Sequence, residues 1–352
     1  MHHPSPPRKA ESLRAALDAL VAGLPPRQAA AAVERLITHY RGTTPTDAPI
    51  LRDRADVAAY AAYRMPATFE AATAALRAFA ARTPGWSPAT HLDLGGGTGA
   101  AVWAADGVWG DGPQGAGTRS TTVLDWSEPA LALGRDLAAS GGTPALTAAG
   151  WHSRRLTAGP ELPRAELVTV SYVLNELAAE DRPAVAEAAL AAAEGAVVFV
   201  EPGTPDGYLR ILDVRSRLVA AGLTLLAPCP HNAACPIEPG RDWCHFSARV
   251  SRSSLHRRVK GGSLPYEDEK FSYVAAVTPA LLERLGAAPA PARIVRRPQL
   301  RKGQVLLDLC AADDGLRRTT VTKRHGARYR TARRAEWGDV WPPEEPGPTA
   351  DP

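Results

Sequence analysis

The sequence predicts an α/β protein with a parallel, doubly wound sheet, a helical N-terminal segment and a small basic, mainly β C-terminal module. Three observations support this fold class. Apolar residues recur at helical spacing early in the chain, short apolar strands then alternate with helical stretches, and strand-length runs follow one another closely near the end. The 352 residues are 45% hydrophobic and 22% charged, which is ordinary for a globular protein.

The N-terminal segment, residues 1–85, is predicted to be helical. SLRAALDALVAGL and RQAAAAVERLITHYRG carry apolar residues three and four positions apart, and two prolines separate them. ADVAAYAAYRMPATFEAATAALRAFAART continues the pattern. Because proline lacks an N–H, Pro66 is expected to end or kink this third helix.

Residues 86–228 are predicted to form the doubly wound domain. THLDLGGG, STTVLDWS, ELVTVSYVLNEL and GAVVFVEPGTP have the length and composition of strands, and helical stretches follow the first three. Strands that alternate with helices and are apolar on both faces are typical of a parallel sheet covered by helices.

The rest of the chain is divided into a cysteine-containing basic module, residues 229–340, and a disordered tail, residues 341–352. The tail is rich in proline and acidic residues. SARVSRSSLHRRVK is expected to be a basic helix. FSYVAAV, ARIVRRPQL, GQVLLDLC, RRTTVTKR and ARYRTARR are expected to form a small antiparallel sheet or barrel.

A glycine-rich loop, DLGGGTG from Asp93 to Gly99, joins the first predicted strand to a helix. Glycines at such a place let the backbone turn sharply and approach a ligand closely. The spacing differs from the dinucleotide G-x-G-x-x-G and lacks the Lys-Ser/Thr of a P-loop. It resembles motif I of class I S-adenosylmethionine-dependent methyltransferases, which implies a Rossmann-like domain of that class.

In the methyltransferase family an acidic residue that ends the second strand accepts hydrogen bonds from the cofactor ribose, and Asp125 occupies this place. The alternative is that Asp125 caps a helix. The stretch after the fourth strand, SYVLNEL, lacks the Asn/Asp-Pro-Pro-aromatic tetrad of many N-methyltransferases, so no catalytic residue is predicted and enzyme activity stays open. The predicted cofactor-binding residues are Asp93, Gly95, Gly97, Gly99, Asp125 and Asn175. The alternatives are that Asp93 only orders the turn and that Asn175 caps the next helix.

The chain contains four cysteines, and three of them, Cys229, Cys235 and Cys244, fall within sixteen residues. The fourth, Cys310, lies in a later predicted strand. Four thiolates satisfy either zinc or an iron–sulfur cluster. The spacing is not that of a C-x2-C zinc knuckle, and proline follows two of the cysteines. A 4Fe-4S cluster is therefore the favoured prediction, with zinc as the alternative.

Charge is distributed unevenly along the chain. Residues 241–334 hold 21 Lys and Arg but 8 Asp and Glu, although the formal net charge of the whole chain is +4. This excess predicts a polyanion such as RNA as partner, and the alternative is a solvated face. The residues predicted to contact RNA are Arg249, Arg252, His256, Arg257, Arg258, Lys260, Lys323 and Arg324.

Longer motifs carry a specific resemblance. The run APCPHNAACP…DWCHFSARVSRSSLHRRVKGGSLPYEDEKFSYV, together with YRMPATFEA, LDLGGGTGA, SYVLNEL, VEPGTPDGY, RKGQVLLDLC and ARRAEWGDVWP, resembles the mitoribosomal small-subunit assembly family. This is a family of methyltransferase-like proteins with bacterial relatives. The similarity extends over roughly residues 50–342, most of the chain.

The family resemblance implies S-adenosylmethionine binding, a 4Fe-4S cluster on the four cysteines, and association with the small ribosomal subunit and its rRNA in assembly or translation. Two alternatives stay open: a catalytically active rRNA methyltransferase and a zinc-stabilised RNA-binding protein. The N-terminus has no apolar core or cleavage site, and no apolar run is long enough to span a bilayer. The expectation is a cytoplasmic bacterial protein without a membrane partner, monomeric apart from the ribosome.

Overall fold

Two long helices begin the structure, a computed structural model. They are α1 (Arg8–Ala22) and α2 (Arg54–Ala80), and they confirm the helical prediction for these ranges. Pro66 lies inside α2, and the expected boundary there is wrong, because Met65 and Phe69 are both 2% exposed and packing on either side stabilises a continuous helix. The structure describes residues 8–22, 30, 31, 33, 34, 54–113, 117–141, 143–156, 162–253, 255, 257, 259, 264–313 and 315–343.

An eight-stranded sheet forms the centre of the molecule. Its order is β3-β2-β1-β4-β5-β8-β6, and β7 pairs with β8. Neighbours from β3 to β5 are parallel, whereas β8 runs antiparallel to β5, β6 and β7. The strands are β1 (Thr90–Leu94), β2 (Ser120–Asp125), β3 (Gly150–Ser153), β4 (Ala165–Ser171), β5 (Ala193–Pro202), β6 (Thr224–Ala227), β7 (Phe246–Ser251) and β8 (Tyr266–Val277).

Helices connect the parallel strands and cover both faces of the sheet with two apolar clusters. This arrangement confirms the predicted α/β fold class, a Rossmann-like domain with N-terminal helices. The sequence did not indicate β3, β6 or the helix between β5 and β6. The helices are α3 (Ala100–Trp109), α4 (Glu128–Ser140), α5 (Pro144–Thr147), α6 (Arg182–Ala192), α7 (Pro205–Ala220) and α8 (Pro279–Leu285).

A second, antiparallel sheet follows, in the order β10-β11-β12, with β9 paired to β11. It agrees with the predicted C-terminal β module, except that ARYRTARR is mostly helical. The extended backbone ends at Thr322, a 3-10 turn follows, and Ala332 of the helix is fully buried against the sheet. The elements are β9 (Ala292–Ile294), β10 (Gln299–Arg301), β11 (Gln304–Ala311), β12 (Gly315–Thr322), a 3-10 turn (Lys323–His325) and α9 (Ala327–Ala332).

Two further expectations, for the segments SARVSRSSLHRRVK and FSYVAAV, are wrong. The expected basic helix begins instead as strand β7, because Phe246, Ala248 and Val250 alternate inward in the pattern of a half-buried strand. Residues 255, 257 and 259 are helical. FSYVAAV belongs to β8 of the central sheet and not to the second sheet. The domain limits stay a prediction, although β7 and β8 join the central sheet from beyond residue 229.

Among the described residues no helix combines the length and the apolarity needed to cross a membrane. Residues 344–352, most of the expected disordered tail, lie outside the described part of the chain.

Candidate functional site

The glycine loop connects β1 to α3 at the carboxyl edge of the parallel strands. Gly95, Gly97 and Gly99 all have positive φ, at 65°, 51° and 86°. A Cβ at Gly95 would stand 2.3 Å from Val173, so packing alone requires glycine there. At Gly97 the nearest atom to a Cβ would be an Asp125 carboxylate oxygen, 3.7 Å away, so this part of the loop borders open space.

Asp125 ends β2 and holds the loop in place. One of its carboxylate oxygens accepts a hydrogen bond from the Gly97 N–H at 2.9 Å, and the other accepts from the Ser127 N–H at 2.8 Å. Burial raises the pKa of Asp125, and these backbone donors act in the opposite direction. The structure therefore brings Asp125 and Gly97 together, as the cofactor-binding prediction requires. The neighbouring Trp126 is 47% exposed.

Asp93 lies beneath the loop in a buried chain of hydrogen bonds. The Thr169 hydroxyl donates to Asp93 Oδ1 at 2.7 Å, and His91 Nε2–H therefore donates to Thr169 Oγ1 at 2.8 Å. Asp93 Oδ2 is buried and has no hydrogen-bond partner. Burial raises the pKa of Asp93 to about 7, and Asp125 adds to this effect, whereas burial lowers the pKa of His91 to about 3.

A strained residue marks the end of β4. Tyr172 has φ 60°, in the left-handed region of backbone conformation that residues other than glycine rarely adopt. Its hydroxyl donates to Glu269 Oε1 at 3.0 Å. Arg64 donates two hydrogen bonds to the same carboxylate, at 2.9 and 3.2 Å, and lies 4.9 Å from the centre of the Tyr172 ring. Sequence reasoning missed this cluster, because its members come from α2, the end of β4 and β8.

The next turn carries Asn175 and Glu176, both accessible to solvent. The role of Asn175 in cofactor binding stays a prediction. Surrounding protein atoms and the nearby Asp125 carboxylate raise the pKa of Glu176.

The four cysteines line one cavity between the two sheets, with about 550 Å³ of empty space, part of it open to solvent. Cys229 and Cys235 follow β6, Cys244 precedes β7, and Cys310 lies on β11. All four are free thiols. The structure thus brings together every predicted metal ligand, across 81 residues of sequence from Cys229 to Cys310.

Burial and neighbouring cysteines raise the pKa values of three of these thiols. The effect is strong for Cys244 and reaches about 12 for Cys310. Burial also raises the pKa of Cys229, against the influence of the adjacent Arg215 guanidinium and of Arg293. Thiols that disfavour one another's ionisation form a suitable ligand set for a cation, which removes their protons.

Two histidines and a tyrosine adjoin the cysteines. His231 Nε2 lies 3.7 Å from Cys310 Sγ, and the Tyr208 hydroxyl lies 3.4 Å from Cys235 Sγ while it donates to the Ile237 carbonyl. His245 instead stacks on Trp243, with 5.0 Å between ring centres. Within the described part of the chain, no three His, Cys, Asp or Glu side chains are placed to hold a single metal ion.

The predicted RNA contacts divide into two groups. Arg249 pairs with Asp268, and Arg252 pairs with Glu267, each at 3.2 Å, so their charges are compensated within the β7–β8 ribbon. Arg257 is exposed. His256, Arg258 and Lys260 lie outside the described residues.

Lys323 and Arg324 form the second group, in the 3-10 turn after β12. Both are exposed, and neither side chain has a carboxylate partner among the described residues. The Lys323 N–H donates to the Gly303 carbonyl at 3.0 Å, which places the turn beside the β10–β11 hairpin with its exposed Arg301 and Lys302.

Comparison with known proteins identifies relatives over most of the chain. Residues 54–342 match the family described as mitochondrial small ribosomal subunit Rsm22. The human mitochondrial ribosome assembly protein METTL17 is 29% identical over 301 residues, which cover 80% of this chain and 62% of the relative. The mitochondrial Rsm22-cox11 tandem protein 2 of Schizosaccharomyces pombe is 27% identical over 192 residues, 43% of this chain and 25% of the relative. The chain thus spans about three fifths of METTL17.

Among solved structures, the magnesium protoporphyrin IX methyltransferase of Synechocystis PCC 6803 with bound SAH aligns with a TM-score of 0.39 at 13% identity. The alignment covers 69% of this chain and 92% of the enzyme. The sequence match spans the glycine loop, the four cysteines and the second sheet, in agreement with the family resemblance seen in the motifs. The chain belongs to the family described as mitochondrial small ribosomal subunit Rsm22.

Proposed function

We propose that this protein binds S-adenosylmethionine, holds a 4Fe-4S cluster and associates with small-subunit rRNA in ribosome assembly or translation. It acts in a bacterial cytoplasm and is monomeric apart from the ribosome. The convergence of four cysteines from two sheets on one cavity is the observation that carries the proposal. The cluster ligands are Cys229, Cys235, Cys244 and Cys310.

The arrangement of the thiols favours a cluster over zinc. A structural zinc ion draws four donors to about 2.3 Å from one point. Here the four thiols come from separate parts of the chain and surround a cavity. A 4Fe-4S cluster binds each thiolate through a different iron atom, so its ligands surround a volume and do not converge on a point.

The cofactor proposal rests on the loop and on charge. Gly97 borders open space beside Asp125, which leaves room for a ribose to approach the backbone and the carboxylate. The sulfonium cofactor carries a positive charge, and the Asp125 carboxylate beside the loop supplies a negative one. The proposed cofactor set is Asp93, Gly95, Gly97, Gly99, Asp125 and Asn175.

RNA association is supported by basic side chains that lack carboxylate partners. Lys323 and Arg324, with the adjacent Arg301 and Lys302, can bind phosphates without first breaking an ion pair. Arg249 and Arg252 would have to exchange Asp268 and Glu267 for phosphate. The family description, mitochondrial small ribosomal subunit Rsm22, supports the small subunit as the partner, and a relative named a ribosome assembly protein supports a role in assembly.

Anaerobic purification of the full chain tests the proposal directly. We expect a brown protein with broad absorption near 400 nm, about four irons and four sulfides per chain, and co-sedimentation with immature small subunits. A colourless protein that contains one zinc per chain would contradict the cluster and support the zinc-stabilised alternative. Calorimetric titration with S-adenosylmethionine tests the cofactor separately.

A second candidate, an active rRNA methyltransferase, is favoured by one observation. Tyr172 holds a strained backbone conformation at the end of β4, and strain of this kind is concentrated at functional sites. Labelled cofactor with immature small subunits distinguishes the candidates. Incorporated label that is lost in Gly97→Arg, with ribosome association kept, would establish the enzyme. No incorporation with cofactor bound would favour the binding protein.

A further inference from the structure

Two buried arginines stand beside the cysteine cavity without an acidic partner. Arg215, from α7, is 5% exposed, and Arg293, from β9, is 3% exposed. Neither forms an ion pair with Asp or Glu among the described residues. A buried guanidinium is costly unless an anion compensates its charge, so the two positive charges require a counter-charge close by.

Backbone carbonyls accept hydrogen bonds from some of the N–H groups of each guanidinium. Arg215 Nη2 donates to the carbonyls of His231 and Ala233, and Arg293 donates to the carbonyls of Pro228 and Gly338 at 3.1 and 2.9 Å. These contacts place the Arg215 guanidinium against the segment between Cys229 and Cys235, and the Arg293 guanidinium beside Pro228, which precedes Cys229. Arg215 Nε and Arg293 Nη2 are buried and have no hydrogen-bond partner in the described part of the chain.

Both arginines lie close to the thiols. Arg215 lines the cavity together with Cys229, Cys235, Cys244 and Cys310. Arg293 is the direct cross-strand partner of Cys310 in the β9–β11 ladder. The cysteines are thus the groups near the two guanidinium ions that can become anionic.

The charges balance. Four thiolates around a dication, either Zn²⁺ or an oxidised 4Fe-4S core, carry a net charge of about −2. We propose that Arg215 and Arg293 are the counter-ions of this metal–thiolate centre, and that their unpartnered N–H groups donate to its sulfur atoms. The inference rests on the proposed metal site but holds for either metal. If the centre is a cluster, the two arginines act through its charge and raise its reduction potential.

Two substitutions of Arg215 separate the effect of its positive charge from that of its volume. Arg215→Met removes the charge and the donors at similar volume, whereas Arg215→Lys keeps the charge. Arg217→Met is the matched control, because Arg217 lies on the same helix but is only partly buried and is paired with Asp213 and Glu187. The full-length variants are purified anaerobically, analysed for iron and zinc, and titrated electrochemically while the cluster absorption or its EPR signal is followed.

We expect a more negative midpoint potential in Arg215→Met, because a lost positive charge disfavours the added electron. Arg215→Lys should lie nearer to wild type, and Arg217→Met should match it. An unchanged midpoint in Arg215→Met at full iron content would overturn the inference. If Arg215→Met loses its metal, restored metal content in Arg215→Lys supports the counter-ion role, and equal loss in both variants refutes it.

The outcome for the wild-type protein separates the inference from the proposed function. If the wild type holds zinc, the cluster proposal fails, and the inference is tested by chelator competition. Arg215→Met should then release zinc several-fold faster than Arg217→Met, and equal rates would refute the counter-ion role. A wild-type protein without either metal would refute both proposals.

Discussion

Replacement of Gly97 by alanine tests whether the loop beside Asp125 receives the cofactor. At φ 51° a Cβ is strained but meets no atom closer than 3.7 Å. An alanine in the left-handed conformation lowers the free energy of unfolding by about 1–2 kcal/mol. Alanine also restricts the backbone of the unfolded chain more than glycine does, which offsets this loss by about 0.4–1 kcal/mol. The net loss in free energy of unfolding is therefore about 1 kcal/mol, or roughly 2 °C in Tm for a domain of this size.

Gly286→Ala is the matched control, because Gly286 has φ 57° and nothing within 4 Å of its Cβ position. Both variants should lose the same small amount of stability, measured by thermal unfolding. Only Gly97→Ala should weaken the binding of S-adenosylmethionine in calorimetric titration, since its methyl group occupies the space that the ribose would enter. We expect an affinity loss of at least tenfold, about 1.4 kcal/mol. Wild-type affinity in Gly97→Ala, at the expected loss of stability, would refute the assignment of the cofactor to this loop.

Three further predictions concern other parts of the molecule. Cys310→Ser should lose most of its iron and unfold at lower temperature, and full iron content would contradict its role as a ligand. Because the pKa of Asp93 is raised to about 7, its contribution to stability is present below about pH 4 and is lost as pH rises through 7. Between about pH 4 and pH 7, the free energy of unfolding of Asp93→Asn should thus rise relative to that of the wild type by up to about 1.4 kcal/mol per pH unit, measured by urea unfolding. A difference that does not depend on pH would refute the raised pKa. Glutamate at Lys323 and Arg324 should weaken rRNA binding about tenfold at low salt and flatten its salt dependence, more than Arg249→Glu does; an equal effect would place the RNA elsewhere.

The elements that were predicted correctly are those with a strong local signal. β1 and its loop follow from a short apolar strand that ends in glycines, and Asp125 follows from its place at the end of the next strand. β8 could not be assigned to the central sheet, because its partners β5 and β6 precede it by many residues and local patterns do not encode strand neighbours. The arginines of β7 suggested a helix, although Phe246, Ala248 and Val250 alternate as in a strand.

The candidate site was predicted where residue chemistry is distinctive. Cysteines are scarce enough for their clustering to indicate a common ligand, and the structure places all four around one cavity. Arginines are abundant in this chain, so nothing in the sequence separated the buried Arg215 and Arg293 from exposed ones. The Tyr172 cluster depends on Arg64 and Glu269, which are 205 residues apart.

The position of Cys310 on β11 has a consequence for the order of folding. Three thiols lie near the central sheet, but the fourth arrives only after the ribosome has synthesised a further 66 residues beyond Cys244 and β11 has paired with β9. Closure of so long a loop is slow relative to local helix formation. A nascent chain therefore holds an incomplete set of thiols for much of its synthesis, and the finished cavity exists only in chains whose second sheet has formed.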